Sequence, residues 1–323
     1  MIWLARSKIE WTDWVWNPIT GCSKISPGCD NCYAERMSKR FAETWGLPAD
    51  DPFKVTLHPE RLEQPLRWTK PSKVFVCSMA DLFHDEVPFS FIEKVFREVV
   101  YNEQHTFMML TKRPERLLSE QYWEDADPPN GDWSKGVELT YKLLPWPKNL
   151  WLGVTAENQE QADKRIPILL QIPAAQRFVS VEPMLSEVKI LNYLGEEVKW
   201  NCHGDEISRR NSLDWVICGG ESGPGARPMH PEWARSIREQ CKAAGVPFFF
   251  KQFGEWWPIG GDGISKPEYD DQFPKTPYCW VTLDGNVFQS GASPDALMLR
   301  TGKKSAGSIL DGQEWKQFPG VMA

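Results

Sequence analysis

Seven short apolar runs, each usually followed by a helical run, recur along this chain at intervals of mostly about thirty residues. That alternation limits the fold more than any single motif does. The runs cover 14–16, 73–77, 106–110, 150–154, 177–181, 214–218 and 247–250. Between them, Tyr33, Met37, Phe41 and Trp45 recur every fourth residue as one apolar helix face. Ile92, Val95, Phe96 and Val99 mark a helix over 89–101, a helix start is expected near Pro114, and further helices are expected over 159–170 and 231–244. Continuous apolar strands joined by helical crossovers imply a parallel sheet covered on both faces. The fold class predicted is α/β, an incomplete parallel (β/α) barrel one unit short of eight, with a doubly wound open sheet as the alternative. The barrel is expected over residues 1–253, with an insertion over 125–148. Residues 254–323 read as a small C-terminal appendage, in which Asp284-Gly285-Asn286 signals a hairpin.

The stretch from Trp11 to Met37 holds Cys22, Cys29 and Cys32 in a C-x6-C-x2-C spacing, punctuated by Asn17-Pro18, Gly21 and Pro27-Gly28. Turn chemistry of this kind holds a loop open. Three thiolates on one short loop can grip a soft metal centre and leave one of its positions open. Structural zinc normally closes four ligands, and only one C-x2-C knuckle exists here, although Cys77 and His84 follow downstream. An iron–sulfur cluster with three protein ligands needs a cofactor as the fourth. Both metals, and thiols without metal, stay open at this point.

Barrel chemistry belongs to the loops at the carboxyl ends of the strands. Those loops carry Asp81, Glu157, Glu182 and Glu221, four carboxylates able to bind ribose hydroxyls or an amino group. Gly219 and Gly220 open the GGESGPG stretch, where successive backbone N–H groups can approach a cofactor or simply make a tight strand-to-helix turn. Lys251 ends the last strand and is the candidate catalytic residue, as a substrate contact or a proton donor. His84 is either a proton donor, a further metal ligand or an ordinary hydrogen-bonded histidine. Lys112 and Arg113, with Arg116, form a basic group suited to phosphate, which Arg209-Arg210 and Lys303-Lys304 could extend. The GKKSAG run fails as a phosphate loop, because Leu297 stands where the leading Gly belongs.

The stretches IEWTDWVWNPITGC, SPGCDNCYAERM, FKVTLHPERLEQPLRW, SMADLFHDEVP, HTFMMLTKRPER, WLGVTAENQEQADKRIP, GGESGPGARPMHPEW, FFFKQFGEW and GKKSAGSILDG resemble the bacteriophage gene product thirty-seven / sixty-eight family. That family is described as carrying a three-cysteine motif like that of radical S-adenosylmethionine enzymes. The resemblance implies a [4Fe-4S] cluster on Cys22, Cys29 and Cys32, with S-adenosyl-L-methionine at its open iron and a barrel of the radical-SAM type. It also implies an electron donor, a nucleic acid or nucleotide substrate, and a separate three-cysteine-motif partner protein. The loop departs from the common C-x3-C-x2-C pattern, since its first gap is longer and Asn31, not an aromatic residue, precedes Cys32.

Composition narrows the partners. A net charge of −7 means that any polyanion must be met by a local basic patch. No apolar run approaches membrane-spanning length, and the start of the chain lacks a signal-peptide pattern, so a cytoplasmic, reducing setting is expected. Seventeen tryptophans invite a stacking role, but Trp14, Trp16, Trp151 and Trp215 sit in apolar runs and are expected to pack the core.

Overall fold

The computed structural model describes residues 6–7, 9–118, 146–195, 198–200, 206–209, 212–259, 276–288 and 296–320. Most of the insertion expected over 125–148, together with Cys202 and Arg210, lies outside the described residues. Seven parallel strands form one sheet: β1 (Trp14–Trp16), β2 (Lys73–Val76), β3 (Thr106–Thr111), β4 (Leu150–Thr155), β5 (Gln176–Val181), β6 (Trp215–Gly219) and β7 (Phe248–Gln252). Their order in the sheet is their order in the chain. A doubly wound sheet reverses direction at a switch point, and this order has none. The topology is therefore that of an incomplete (β/α) barrel, as the sequence predicts.

The chain divides into two compact units, one of Met1–Ile25, Cys32–Val154 and Ile168–Arg177, the other of Ser26–Asn31, Thr155–Pro167 and Phe178–Ala323. In the first unit β1 pairs with β2, β2 with β3 and β3 with β4, all parallel. Its core is Trp16, Val74, Val76, Phe107, Met108, Leu150 and Leu152, each almost fully buried. Trp16 meets Phe107 edge to face with ring centroids 5.8 Å apart. The helix α3 (Phe89–Tyr101) lays Ile92, Val95 and Val99 into that core, and Asn102 closes it by donating from Nδ2 to the Glu98 carbonyl at 2.8 Å. Trp14 and Trp151 are only half-buried, Trp14 stacking on Trp68 at 5.5 Å.

Two expectations need correcting in this unit. The run from Tyr33 to Trp45 is two pieces, α1 (Tyr33–Arg40) and α2 (Ala42–Trp45), broken at Phe41, whose backbone leaves helical values. Its apolar edge is only partly covered, because Ala34 and Ser38 are the residues α1 buries while Met37 and Phe41 are half-buried and Tyr33 is 59% exposed. Near Pro114 the expected helix is a short 3-10 turn, Pro114–Leu118.

The helix expected over 159–170 is α4 (Gln159–Leu169). In the second unit β6 pairs in parallel with β5 and with β7. The helix α5 (Pro231–Ala244) shows why its sequence starts and stops where it does. His230 caps it through Nδ1, accepting the Glu232 N–H at 3.1 Å, Pro231 takes the first turn, and Gly245 ends it in a left-handed conformation. Trp233, Ile237 and Cys241 of α5 are buried, as are Trp215 and Phe248–Phe250 of the strands. Four antiparallel strands follow, β8 (Trp256–Ile259), β9 (Tyr278–Val281), β10 (Val287–Phe288) and β11 (Ala296–Arg300), in the order β8-β11-β9-β10. The hairpin expected at Asp284-Gly285-Asn286 joins β9 to β10, with Gly285 at φ 90°. No helix among the described residues is long and apolar enough to cross a membrane.

Gly21 sits where β1's extension approaches the backbone at Lys54. Its φ is 85°, and a Cβ there would lie 2.1 Å from the Lys54 carbonyl oxygen. Gly21→Ala is expected to cost roughly 1–3 kcal/mol from the backbone conformation alone, with the collision added to it. Urea denaturation measures this, and a wild-type midpoint would refute the packing argument.

The three-cysteine loop and its anchors

In the first unit the loop is held at Cys22 by Arg113. The Cys22 N–H donates to the Phe53 carbonyl at 3.1 Å, and Arg113 Nη1 donates toward Cys22 Sγ at 3.5 Å. The same guanidinium donates to Asp81 Oδ2 at 3.4 Å, to the Ser23 carbonyl at 3.1 Å and to Ser23 Oγ at 3.0 Å. Burial works to lower the Arg113 pKa, but the charges of Asp81 and Cys22 outweigh it and raise it. Arg113 therefore stays a cation beside the sulfur.

Asp81 braces this arrangement. Its Oδ1 accepts from the Phe83 N–H at 3.0 Å and from Thr111 Oγ1 at 2.7 Å, while Oδ2 accepts the Lys112 N–H at 3.0 Å. His84 Nδ1 accepts the Glu86 N–H at 3.2 Å, so in the neutral ring the proton resides on Nε2 and points to Ser23 Oγ, 2.7 Å away. Burial, then the nearby Arg113 charge, lowers the His84 pKa. His84 is thus a hydrogen-bonded member of the network. Arg116 donates to the His84 carbonyl and, at 2.6 Å, to the Val87 carbonyl. Of the basic group expected to meet phosphate, Arg113 and Arg116 are committed to the fold, and Lys112 is half-buried beside them.

In the second unit two buried carboxylates fasten residues 26–31. Glu157, fully buried, accepts the Gly28 N–H on Oε1 at 3.0 Å and Arg165 Nη1 on Oε2 at 2.9 Å. Arg165 Nη1 also donates to the Thr155 carbonyl at 2.8 Å. Burial alone would raise the Glu157 pKa, but the Ser26 hydroxyl, Arg165 and the Gly28 N–H bring it below the ordinary range. A Cβ at Gly28 would come within 2.9 Å of the Glu157 carboxyl carbon, so the turn Pro27–Cys29 rests directly on this side chain.

Glu221 does the same for Asp30 and Asn31. Its Oε2 accepts from Asn31 Nδ2 at 3.0 Å and from Arg227 Nε at 2.9 Å, and Oε1 accepts Arg227 Nη2 at 2.6 Å. Arg227 continues to the Pro27 carbonyl at 2.9 Å and to Asp30 Oδ2 at 3.2 Å. Burial again opposes ionisation, and the hydrogen bonds from Arg227 and Asn31 lower the Glu221 pKa past it. Asp81, Glu157 and Glu221, the carboxylates expected to meet a cofactor, thus have their oxygens engaged by protein donors. Nothing in the local sequence signals this, because no spacing or motif links Arg165, Arg227 or Asn31 to these carboxylates.

The glycines of GGESGPG answer to close packing. A Cβ on Gly220 would lie 2.0 Å from the Phe253 carbonyl oxygen. Gly219 has a different consequence. Lys251 Nζ donates to Glu182 Oε1 at 2.7 Å, pairing the ends of β5 and β7 across the end of β6. A Cβ on Gly219 would lie 3.4 Å from Lys251 Cβ and 3.5 Å from the Glu182 carboxyl carbon, at ordinary van der Waals contact, so the pair packs directly over this residue. About a fifth of each side chain in this pair reaches solvent.

None of Cys22, Cys29 and Cys32 is in a disulfide, and all three are half-buried. Among the described residues no group of three or more His, Cys, Asp and Glu side chains could hold a metal ion. The fold and loop define an α/β protein of partial-barrel topology bearing a braced three-cysteine loop. The chain belongs to the DUF5131 family, described as a protein of unknown function, whose family model matches residues 6–319. No curated protein matches the sequence. Among solved structures, a Cys-to-Ser mutant of spore photoproduct lyase is similar at 10% identity and a TM-score of 0.40, covering 93% of this chain and 71% of that one. A double mutant of the lyase with bound AdoMet and dinucleoside spore photoproduct is similar at 10% identity and a TM-score of 0.39, covering 92% and 71%.

The lowered pKa values of Glu157 and Glu221 fix the sign of a pH dependence. A carboxylate whose folded pKa is depressed adds stability above its unfolded pKa, here near 4.5, and that stability is lost as pH falls through the folded value. The wild-type protein is expected to weaken progressively below pH 4.5. Glu157→Gln, which leaves Arg165 buried without its charge partner, is expected to cost about 3–5 kcal/mol at neutral pH. The Glu157→Gln, Glu221→Gln double variant should show a shallower acid limb in urea melts; an unchanged limb would contradict the assignment.

Proposed function

We propose that Cys22, Cys29 and Cys32 hold a [4Fe-4S] cluster and that the chain is an enzyme of the radical S-adenosylmethionine type. The observation carrying this reading is the contrast among the cysteines. The three on the loop are half-buried, whereas Cys77, Cys218, Cys241 and Cys279 are buried. Burial pushes the thiols of Cys77, Cys218 and Cys241 up and that of Cys279 to about 12, which keeps them protonated and poor ligands. Three accessible sulfurs on one braced loop suit a cluster in kind, since each thiolate of a cluster binds a separate iron and need not converge on one point.

When bound, such a cluster supplies a one-electron reductant and, at the iron lacking a protein thiolate, a place for S-adenosyl-L-methionine. The chain's own residues set its surroundings. Arg113 favours the thiolate at Cys22 by hydrogen bond and charge. The Glu157 and Glu221 networks hold the backbone that presents Cys29. Lys251, paired with Glu182 and partly open to solvent, is placed to hold or deliver a proton at a substrate.

Anaerobic purification with iron and sulfide analysis tests the reading. Roughly four irons per chain are expected, lost in Cys29→Ala and kept in Cys279→Ala; stoichiometric zinc in their place would end it. The reduced, loaded protein should release 5′-deoxyadenosine and methionine from S-adenosyl-L-methionine. Lys251→Met is expected to keep its iron and to lose about 10²–10⁴-fold in substrate turnover, the usual weight of a general acid. A variant with wild-type turnover would remove Lys251 from the chemistry.

A further inference from the structure

The helical segment that leaves Cys32 keeps two of its large rings outside and half-buries Met37 and Phe41. An amphipathic surface helix ordinarily turns its large apolar residues to the core. Here Ala34 and Ser38 are buried, while Tyr33 is 59% and Trp45 37% exposed. The outward edge has an internal order. The Arg36 guanidinium lies over the Tyr33 ring at 5.7 Å from its centroid, and that of Arg40 over the Phe41 ring at 5.2 Å. Phe41 and Trp45 stack with centroids 5.3 Å apart.

The charge around this edge opposes that of the whole chain. Lys24, Arg36, Lys39 and Arg40 outnumber Glu35, Glu43 and Asp51, whose charge also acts on Lys39, in a chain of net charge −7. Glu35 is held by Lys24 at 3.4 Å and Lys39 at 2.6 Å. Among the described residues neither Arg36 nor Arg40 pairs with a carboxylate, and both keep their guanidinium planes at the aromatic edge. Exposed rings alternating with unpaired guanidinium groups match a ligand that offers flat π faces and phosphates in turn. Single-stranded nucleic acid does so, whereas a duplex keeps its base faces stacked inside.

We propose that the Tyr33–Trp45 edge binds single-stranded nucleic acid, bases stacking on Tyr33 and on the Phe41–Trp45 pair while Arg36 and Arg40 meet the phosphates. The inference rests on the function proposed above in that it names a substrate class for that enzyme, but the binding itself needs no cluster. It also moves the phosphate contact away from Arg113 and Arg116, which the fold already uses.

Fluorescence anisotropy of labelled oligothymidylate and oligouridylate with the full-length protein tests it, in metal-free and iron-loaded preparations. Affinity should fall with salt, and Arg36→Ala with Arg40→Ala should lower the log–log slope by about 1.4, at ~0.7 per phosphate contact on a single strand. Tyr33→Ala with Trp45→Ala should weaken binding about 5-fold or more. Circular dichroism and melting should be unchanged in the Tyr33→Ala, Trp45→Ala variant. Equal binding by metal-free protein would uphold the surface even where the cluster reading fails. Absence of salt-dependent binding, or wild-type affinity in both double variants, would overturn the proposal. Self-association lost in Tyr33→Ala with Trp45→Ala, without nucleic-acid binding, would assign the edge to a second copy and overturn it too.

Discussion

The buried ion pair of Glu157 and Arg165 is the interaction on which the presentation of the loop depends. Removing two charges from water is expensive, and their attraction compensates only when the remaining lone pairs and protons are satisfied. Here most of them are: Arg165 Nη1 also reaches the Thr155 carbonyl and Glu157 takes the Gly28 N–H, while Arg165 Nε is buried with no hydrogen-bond partner among the described residues. A loop carrying Pro27 and Gly28 has no sheet ladder of its own to define its path. The carboxylate supplies that definition, and the absence of a Cβ at Gly28 lets the backbone settle on it. Glu221 repeats the device one turn later, through Asn31 and Arg227.

The same logic governs Asp81 and Arg113. A carboxylate at a strand's carboxyl end collects backbone N–H groups and a guanidinium, and the guanidinium then reaches the sulfur of Cys22. Polar residues at these strand ends therefore act first as organisers of loops. The Glu182–Lys251 pair differs, because about a fifth of each side chain reaches solvent. A lysine paired with one carboxylate, and only partly covered, keeps donor capacity that a fully enclosed pair would lack.

Aromatic residues divide between two uses. Trp16 and Trp215 are buried, and Trp215 still satisfies its indole N–H by donating to the Gln317 carbonyl at 2.8 Å. Tyr33 and Trp45 remain outside, Tyr33 beside Arg36 and Trp45 against Phe41. Exposed aromatic area is costly unless something covers it, which makes the second arrangement informative about binding and the first informative only about folding.

The sequence by itself determined the strands, their parallel sense and their number, because continuous apolar runs with helical crossovers have few other ways to bury both sheet faces. It also determined α5 to the residue, since His230, Pro231 and Gly245 are local signals that act on adjacent backbone. The three cysteines were legible for the same reason, as a spacing. Which face of the Tyr33–Trp45 segment is buried was not, because periodicity defines a face without saying where the neighbouring chain lies. Nor were the roles of Asp81, Glu157 and Glu221 legible. Their guanidinium, amide and glycine partners lie 6 to 190 residues away in the chain, and only tertiary packing brings each to a particular oxygen.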